Sequence, residues 1–399
     1  MDPTTLARLA ELLVGFGANV QPGQLVAVSS EIGKEPLTRA IAASAYRHGA
    51  TFVEVAYADP YVRRARIAHG SDTALETVPS WIGERMLALG DQRCARVALT
   101  GATEPRLLED LDPARVGADR AQTLREAGKV LNDQTTNWTI GPCPTPGWAA
   151  QVHPDLPPGA ALAKLWEQIV HVCRLDEDDP VAAWRERMAT LRGVTERLTA
   201  ARFDALHFEG PGTDLIVGLL PSSSWLSASF STADGIPHVP NLPSEEVFTT
   251  PDPVRVDGVV RATKPLQLAG ATIEGLTVRF EGGRAIQIDA DKGADVLRSM
   301  AAHDDGAARL GEVALVDGSG RIGPLDTVFY DTLLDENAAS HIALGQAFAF
   351  ALGDEQDVER ANESTIHVDF MIGGDRVDVT GVTPSGTRVP VLRGGVWQI

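Results

Sequence analysis

Four short segments in the last third of the chain bring acids and histidines together in ways that could do chemistry. NLPSEEVFT (Asn241–Thr249) sets Glu245 beside Glu246, and Glu312 opens the apolar run EVALV. In LLDENAASHIALG, Glu336 and His341 stand five residues apart, and IHVDFMIG holds His367 and Asp369 two apart within apolar neighbours. On a strand, residues i and i+2 face the same way, so His367 and Asp369 project together. Ile366, Val368, Phe370 and Met371 around them predict a buried face. A buried carboxylate is costly unless it is paired or bound to a cation, so this dyad is either an Asp–His hydrogen-bonded pair or part of a metal site. Glu336 and His341 would sit roughly 140° apart on an ideal helix. They converge only if Glu336 precedes the regular helix, which the cap-type residues Asp335 and Asn337 allow.

The charge arithmetic of the set says more than any member. Glu246, Glu312, Glu336 and Asp369 supply four negative charges, while His341 and His367 supply neutral imidazoles. Two divalent cations would balance them. Without cations, buried carboxylates at close range repel one another and mostly protonate. A carboxylate-plus-imidazole shell lacking thiolates suits Zn²⁺, Co²⁺ or Mn²⁺. Two metals bridged by a carboxylate supply a Lewis acid, a nucleophile at neutral pH and a clamp on developing charge, which predicts hydrolysis. The alternative is a 2-His-1-carboxylate site of His341, His367 and Asp369 for a single Fe(II), which serves oxygen chemistry. That alternative leaves Glu246, Glu312 and Glu336 without a task.

These groups must be positioned by a large fold. A chain of 399 residues predicts two domains, and 44% hydrophobic with 22% charged residues excludes general disorder. Lys+Arg 35 against Asp+Glu 54 leaves a net charge of −19, which argues against nucleic acid as a partner. Cys94, Cys143 and Cys173 are too scattered for a disulfide framework or a CxxC zinc site. The start, MDPTTLARLAELLVGFG, reads as an amphipathic helix capped by Asp2 or Thr4, not as a signal peptide. No apolar run reaches the ~18 residues of a membrane span, so the expected location is cytoplasmic.

Helical patterns near Thr5–Gly15, Pro36–His48 and Pro79–Leu89 alternate with LVAVSS, TFVEVAY and ARVALTG. That alternation predicts an α/β N-terminal domain with a mainly parallel sheet. The Pro/Gly cluster GPCPTPGWAA (Gly141–Ala150) is expected to be a loop, with helices over Gly159–Cys173 and Pro180–Ala201 and a solvated turn at Asp176–Asp179. From Phe203 short strands such as FDALHFEG, TDLIVGLL and TVRF dominate, with helices expected at Ala294–Ala302 and Asn337–Phe350. The division is therefore 1–200 for the N-terminal α/β domain and 201–399 for a C-terminal α+β catalytic metal-binding domain with a mixed or antiparallel sheet. Gly318, Gly320 and Gly323 match G-x-G-x-x-G, but Pro324 and the strand-like TVFYDTLL follow where a dinucleotide fingerprint needs a helix, so a turn between strands is expected.

PSEEVFT, GEVALV, TLLDENAASHIALG and HVDFMIG, in this order, resemble the aminopeptidase T and aminopeptidase S family of dinuclear metallo-aminopeptidases. GPGTDLIVGL and WTIGPCPTPGWAAQV are similar to the family as well, and the resemblance spans the whole chain. It implies a metal-dependent aminopeptidase, a hydrolase with peptides as substrate, acting as a homodimer with no membrane partner. By position, the resemblance implies two divalent ions (Zn, Co, Mn or Mg) on Glu246, Glu312, Glu336, His341, His367 and Asp369. Glu312 would bridge the two and serve as a catalytic group. Glu245 would act as base or bind the substrate's α-ammonium. Ring-cleaving dioxygenases of hydroxypyridines are similar to this family, which lends the Fe(II) alternative a precedent. One departure stands out. The family usually carries tyrosine seven residues after the histidine corresponding to His341, where this chain has Phe348; the role could pass to Tyr330.

Overall fold

A computed structural model describes residues 2–119 and 125–399. The described residues fall into two compact units. The first lies within Met1–Asp110, Leu124–Met188 and Ala228–Ser244, and the second within Leu111–Thr123, Ala189–Ser227 and Glu245–Ile399.

The first unit is built on four parallel strands, in the spatial order Phe52–Ala58, Leu25–Glu31, Ala95–Thr100, Trp138–Pro142. Val26, Ala27 and Val28 are buried consecutively, as both faces of a covered parallel strand require. Helices Glu35–Arg47 and Ser80–Asp91 are among the crossovers. The opening helix, Pro3–Glu11, has Asp2 accepting from the Thr5 N–H and runs on into a π-helical turn at Leu12–Gly17. The segment expected as a loop, Gly141–Ala150, instead ends one strand and starts helix Pro146–Val152. Thr145 Oγ1 accepts from the Trp148 N–H at 3.1 Å and Pro146 occupies the first turn, so the Pro/Gly cluster is helix-starting chemistry.

The second unit holds two large antiparallel sheets, besides the two-stranded pair Leu266–Leu268 and Ala271–Ile273. One has eight strands, with Thr213–Leu219, Ala205–Gly210 and Pro251–Arg261 near its middle. The other has five, in the order His367–Met371, His341–Gly345, Leu310–Val316, Glu246–Thr249, Leu226–Ser227. Phe208, Val217 and Phe280 from the first sheet share one apolar core with Leu315, Ile342 and Phe370 from the second.

Two expectations fail here. The helix expected over Asn337–Phe350 is a short helix, Thr332–Glu336, followed by the fully buried strand His341–Gly345. Ala and Leu favour a helix in isolation, but pairing on both edges satisfies this segment's backbone and tertiary context overrides propensity. TVFYDTLL, expected as strand, turns into that short helix. The Asp335 carboxylate accepts from the N–H groups of Phe329 (2.9 Å) and Asp331 (3.2 Å), a local closure that competes with extended backbone. The Gly318–Gly323 stretch forms turns leading into the 3-10 segment Gly323–Leu325, and opens no dinucleotide-type helix.

Candidate active site

The register of the five-stranded sheet gathers the candidate residues. Glu246 lies opposite Val316, Ala314 opposite His341, and Ala343 opposite both Glu312 and Asp369, while Gly345 lies opposite His367. Cross-strand partners share a face, and so do residues two apart on one strand. Glu246, Glu312, His341, His367 and Asp369 therefore emerge from one face of four adjacent strands. Ala314 and Ala343 stand between them on that face, small enough to let the longer side chains converge. Glu336 arrives from off the sheet, at the last position of the short helix.

Glu312 is the centre of this arrangement. Its Oε1 lies 4.0 Å from His341 Nε2, which also meets Glu246 Oε2 at 3.0 Å. Its Oε2 lies 3.2 Å from His367 Nε2, which meets Asp369 Oδ1 at 3.3 Å. Two groups with ligand atoms mutually within 4.8 Å result, Glu246–Glu312–His341 and Glu312–His367–Asp369, and Glu312 belongs to both. The remaining ring nitrogens face carbonyls: His341 Nδ1 lies 3.0 Å from the Glu336 oxygen and His367 Nδ1 lies 2.8 Å from the Gln346 oxygen. A carbonyl only accepts, so each Nδ1 carries a proton and each Nε2 is turned toward the acids, the orientation common to metal-binding histidines. The dyad is less covered than its sequence predicts, since 27% of the His367 side chain remains exposed. This is the accessible side of the cluster.

The electrostatics show that the cluster seeks positive charge. Burial, reinforced by the Asp369 and Glu246 charges, pushes Glu312 up to about 7 despite its hydrogen bond to His367. Burial and the same two carboxylates raise Glu336 well above the usual carboxylate range. Burial disfavours the His341 imidazolium, yet the Glu246 hydrogen bond and the surrounding acids raise it to about 10. His367 is likewise held above its ordinary range, against its burial, chiefly by Asp369. Glu246, Glu312, His341, His367 and Asp369 bring carboxylate and imidazole donors of the kind that suit hard or borderline divalent cations close together, whereas Glu336 belongs to neither ligand group.

Other candidates are placed differently. Glu245 is buried, its Oε1 accepts from the Arg321 N–H at 3.4 Å, and it belongs to neither ligand group. Its neighbour Gly320 leaves room for it, since an added Cβ there would lie 3.0 Å from the Glu245 carboxyl carbon. The glycine run thus accommodates an acid, not a phosphate. Tyr330 sits at a left-handed φ of 53° between the two N–H groups that Asp335 accepts. Phe348 packs its ring 5.1 Å from the His367 ring, 5.3 Å from Phe248 and 5.5 Å from Phe350. Phe248 was not singled out from the sequence, although its place two residues after Glu246 on a strand was the signal that could have found it.

The model of the thermophilic metalloprotease (M29) family matches residues 3–397. The chain belongs to this family. Aminopeptidase T of Thermus aquaticus is 44% identical over 409 residues, covering 100% of both chains. Aminopeptidase 2 of Geobacillus stearothermophilus is 37% identical, covering 98% of this chain and 97% of the relative. The structure of wild-type AmpT from Thermus thermophilus superposes with a TM-score of 0.87 at 42% identity, covering 99% of each chain. This M29 chain is accordingly a metal-dependent aminopeptidase, a hydrolase acting on peptides. The iron-dependent ring-cleaving alternative is set aside, since the family match and these relatives are all peptidases.

Proposed function

We propose that Glu246, Glu312, Glu336, His341, His367 and Asp369 hold two divalent cations and that this centre removes the N-terminal residue of short peptides. The observation that carries the reading is Glu312, whose two oxygens face the two ligand groups separately. Zinc, cobalt, manganese and magnesium all suit oxygen ligands, and the two imidazoles favour zinc or cobalt. Cations bound there would supply Lewis acidity toward the scissile carbonyl and lower the pKa of water.

The chain's own groups do the rest. The surplus of acid attracts the substrate's α-ammonium, and the accessible His367 side admits it. Glu312 or a neighbouring carboxylate moves a proton between attacking water and leaving amine. Glu245, oriented by the Arg321 N–H, is assigned the second acid role, as base or as partner of the α-ammonium. Phe348 packs against His367 and is backed by Phe248 and Phe350, an aromatic group that borders the accessible side of the site. The family resemblance supports a homodimer. A cytoplasmic location is part of the same proposal; no helix among the described residues is long and apolar enough to cross a membrane. The two-domain division at residue 200 belongs to the same proposal.

Metal analysis of purified protein, combined with cleavage of dipeptides and aminoacyl-p-nitroanilides in added Co²⁺ or Zn²⁺, tests this reading. Two ions per chain are expected, and Glu312→Ala or His367→Ala should lose turnover together with bound metal. Full activity in either variant would overturn the ligand assignment.

A further inference from the structure

Asn337 closes the short helix Thr332–Glu336 and is almost completely buried. Its side-chain amide touches three parts of the frame around the acid cluster. Oδ1 accepts from the Glu245 N–H at 2.6 Å, at the entrance of the strand that carries Glu246. Nδ2 donates to the Leu333 carbonyl at 2.8 Å, within the short helix, and to Glu336 Oε1 at 3.4 Å. A carboxamide offers an acceptor and two donors from one rigid plane, and this residue uses both ends. An aspartate would present acceptors alone, against a carbonyl and a carboxylate.

Five of the six candidate ligands stand on strands, where the ladder holds their backbone. Glu336 instead stands off the sheet, at the last position of a helix of five residues. Something must set its place relative to Glu246. The geometry points to Asn337: we propose that it is a positioning residue for the metal centre, tying the Glu336 carboxylate and its helix to the Glu245–Glu246 segment. It touches neither substrate nor cation. The inference rests on reading the acid cluster as a cation site and adds a residue that this reading does not contain.

Partners that orient metal ligands typically contribute 10–100-fold to affinity. The test compares full-length wild type, Asn337→Ala and Asn337→Ser, titrated with Co²⁺ or Zn²⁺ against a chromophoric chelator. Asn137→Ala is the control. That asparagine is also fully buried, and its Nδ2 donates to the Ala18 carbonyl at 2.6 Å in the first unit. Its loss should lower the melting temperature and leave cation affinity within about twofold of wild type. Both Asn337 variants should bind about 10–100-fold more weakly, and the visible spectrum of the Co²⁺-saturated protein should shift as Glu336 moves. Wild-type affinity and an unchanged Co²⁺ spectrum in a folded Asn337 variant would overturn the proposal. Failure of both variants to fold would also overturn it, assigning Asn337 to the fold instead. A wild-type protein that binds no cation would sink the reading of the cluster itself, a result distinguishable from either of these.

Discussion

Phe348 places a phenyl ring beside His367, at the edge of the acid cluster, where the pattern expected from the family resemblance would place a phenol. A phenyl can shield the site but cannot donate to an oxyanion, and one such donor is worth about 10²–10³ in rate. Phe348→Tyr is therefore expected to raise kcat toward that limit, with KM little changed, in assays of an aminoacyl-p-nitroanilide at saturating metal. An unchanged or lower kcat would show that the hydroxyl finds no oxyanion from this position. The chemical types of the acids and imidazoles were legible in the sequence, and so was the departure at Phe348. The contrast between Glu245 and Glu246 was not. Adjacent in the sequence, they diverge because Glu246 starts a paired strand while the Glu245 carboxylate engages the Arg321 N–H.

The His341–Gly345 strand links Glu312 to the His367–Asp369 dyad, and its end depends on one glycine. Gly345 adopts a φ of 105°, and an added Cβ would lie 2.1 Å from the Ile366 carbonyl oxygen. Gly345→Ala combines backbone strain with a clash against main chain, for which a cost of about 1–3 kcal/mol or more is expected. Because Gly345 pairs with His367, the same change should weaken metal binding. A lowered melting temperature with reduced bound Co²⁺ is the expected pair of results; loss of stability with full metal binding would separate the strand end from the site. The strands Leu310–Val316 and His367–Met371 were readable from their apolar runs. The His341 strand was not, because its composition favours helix and only neighbours distant in sequence supply its hydrogen bonds.

At the scale of the whole molecule, the chain's net charge of −19 coincides with a buried site where acids are concentrated. Cations that bind the folded state alone stabilise it by mass action, by about 2.7 kcal/mol at a concentration one hundred times Kd. Chelation should therefore abolish peptide cleavage and lower the melting temperature, and added Zn²⁺ or Co²⁺ should restore both. An unchanged melting temperature on removal of metal would contradict a structural contribution from the site. By itself, the sequence determined the alternation of helices and parallel strands in the first unit, the strand-rich second unit and which acids and imidazoles are candidates for the site. Those are properties of local pattern and residue type, and they survive without knowledge of neighbours. Tertiary structure alone decided how Glu312 meets each histidine, that Ala314 and Ala343 would make room for it, and that Asn337 would reach back to Glu245. Strand order and register join residues far apart in the chain, and no local pattern encodes them.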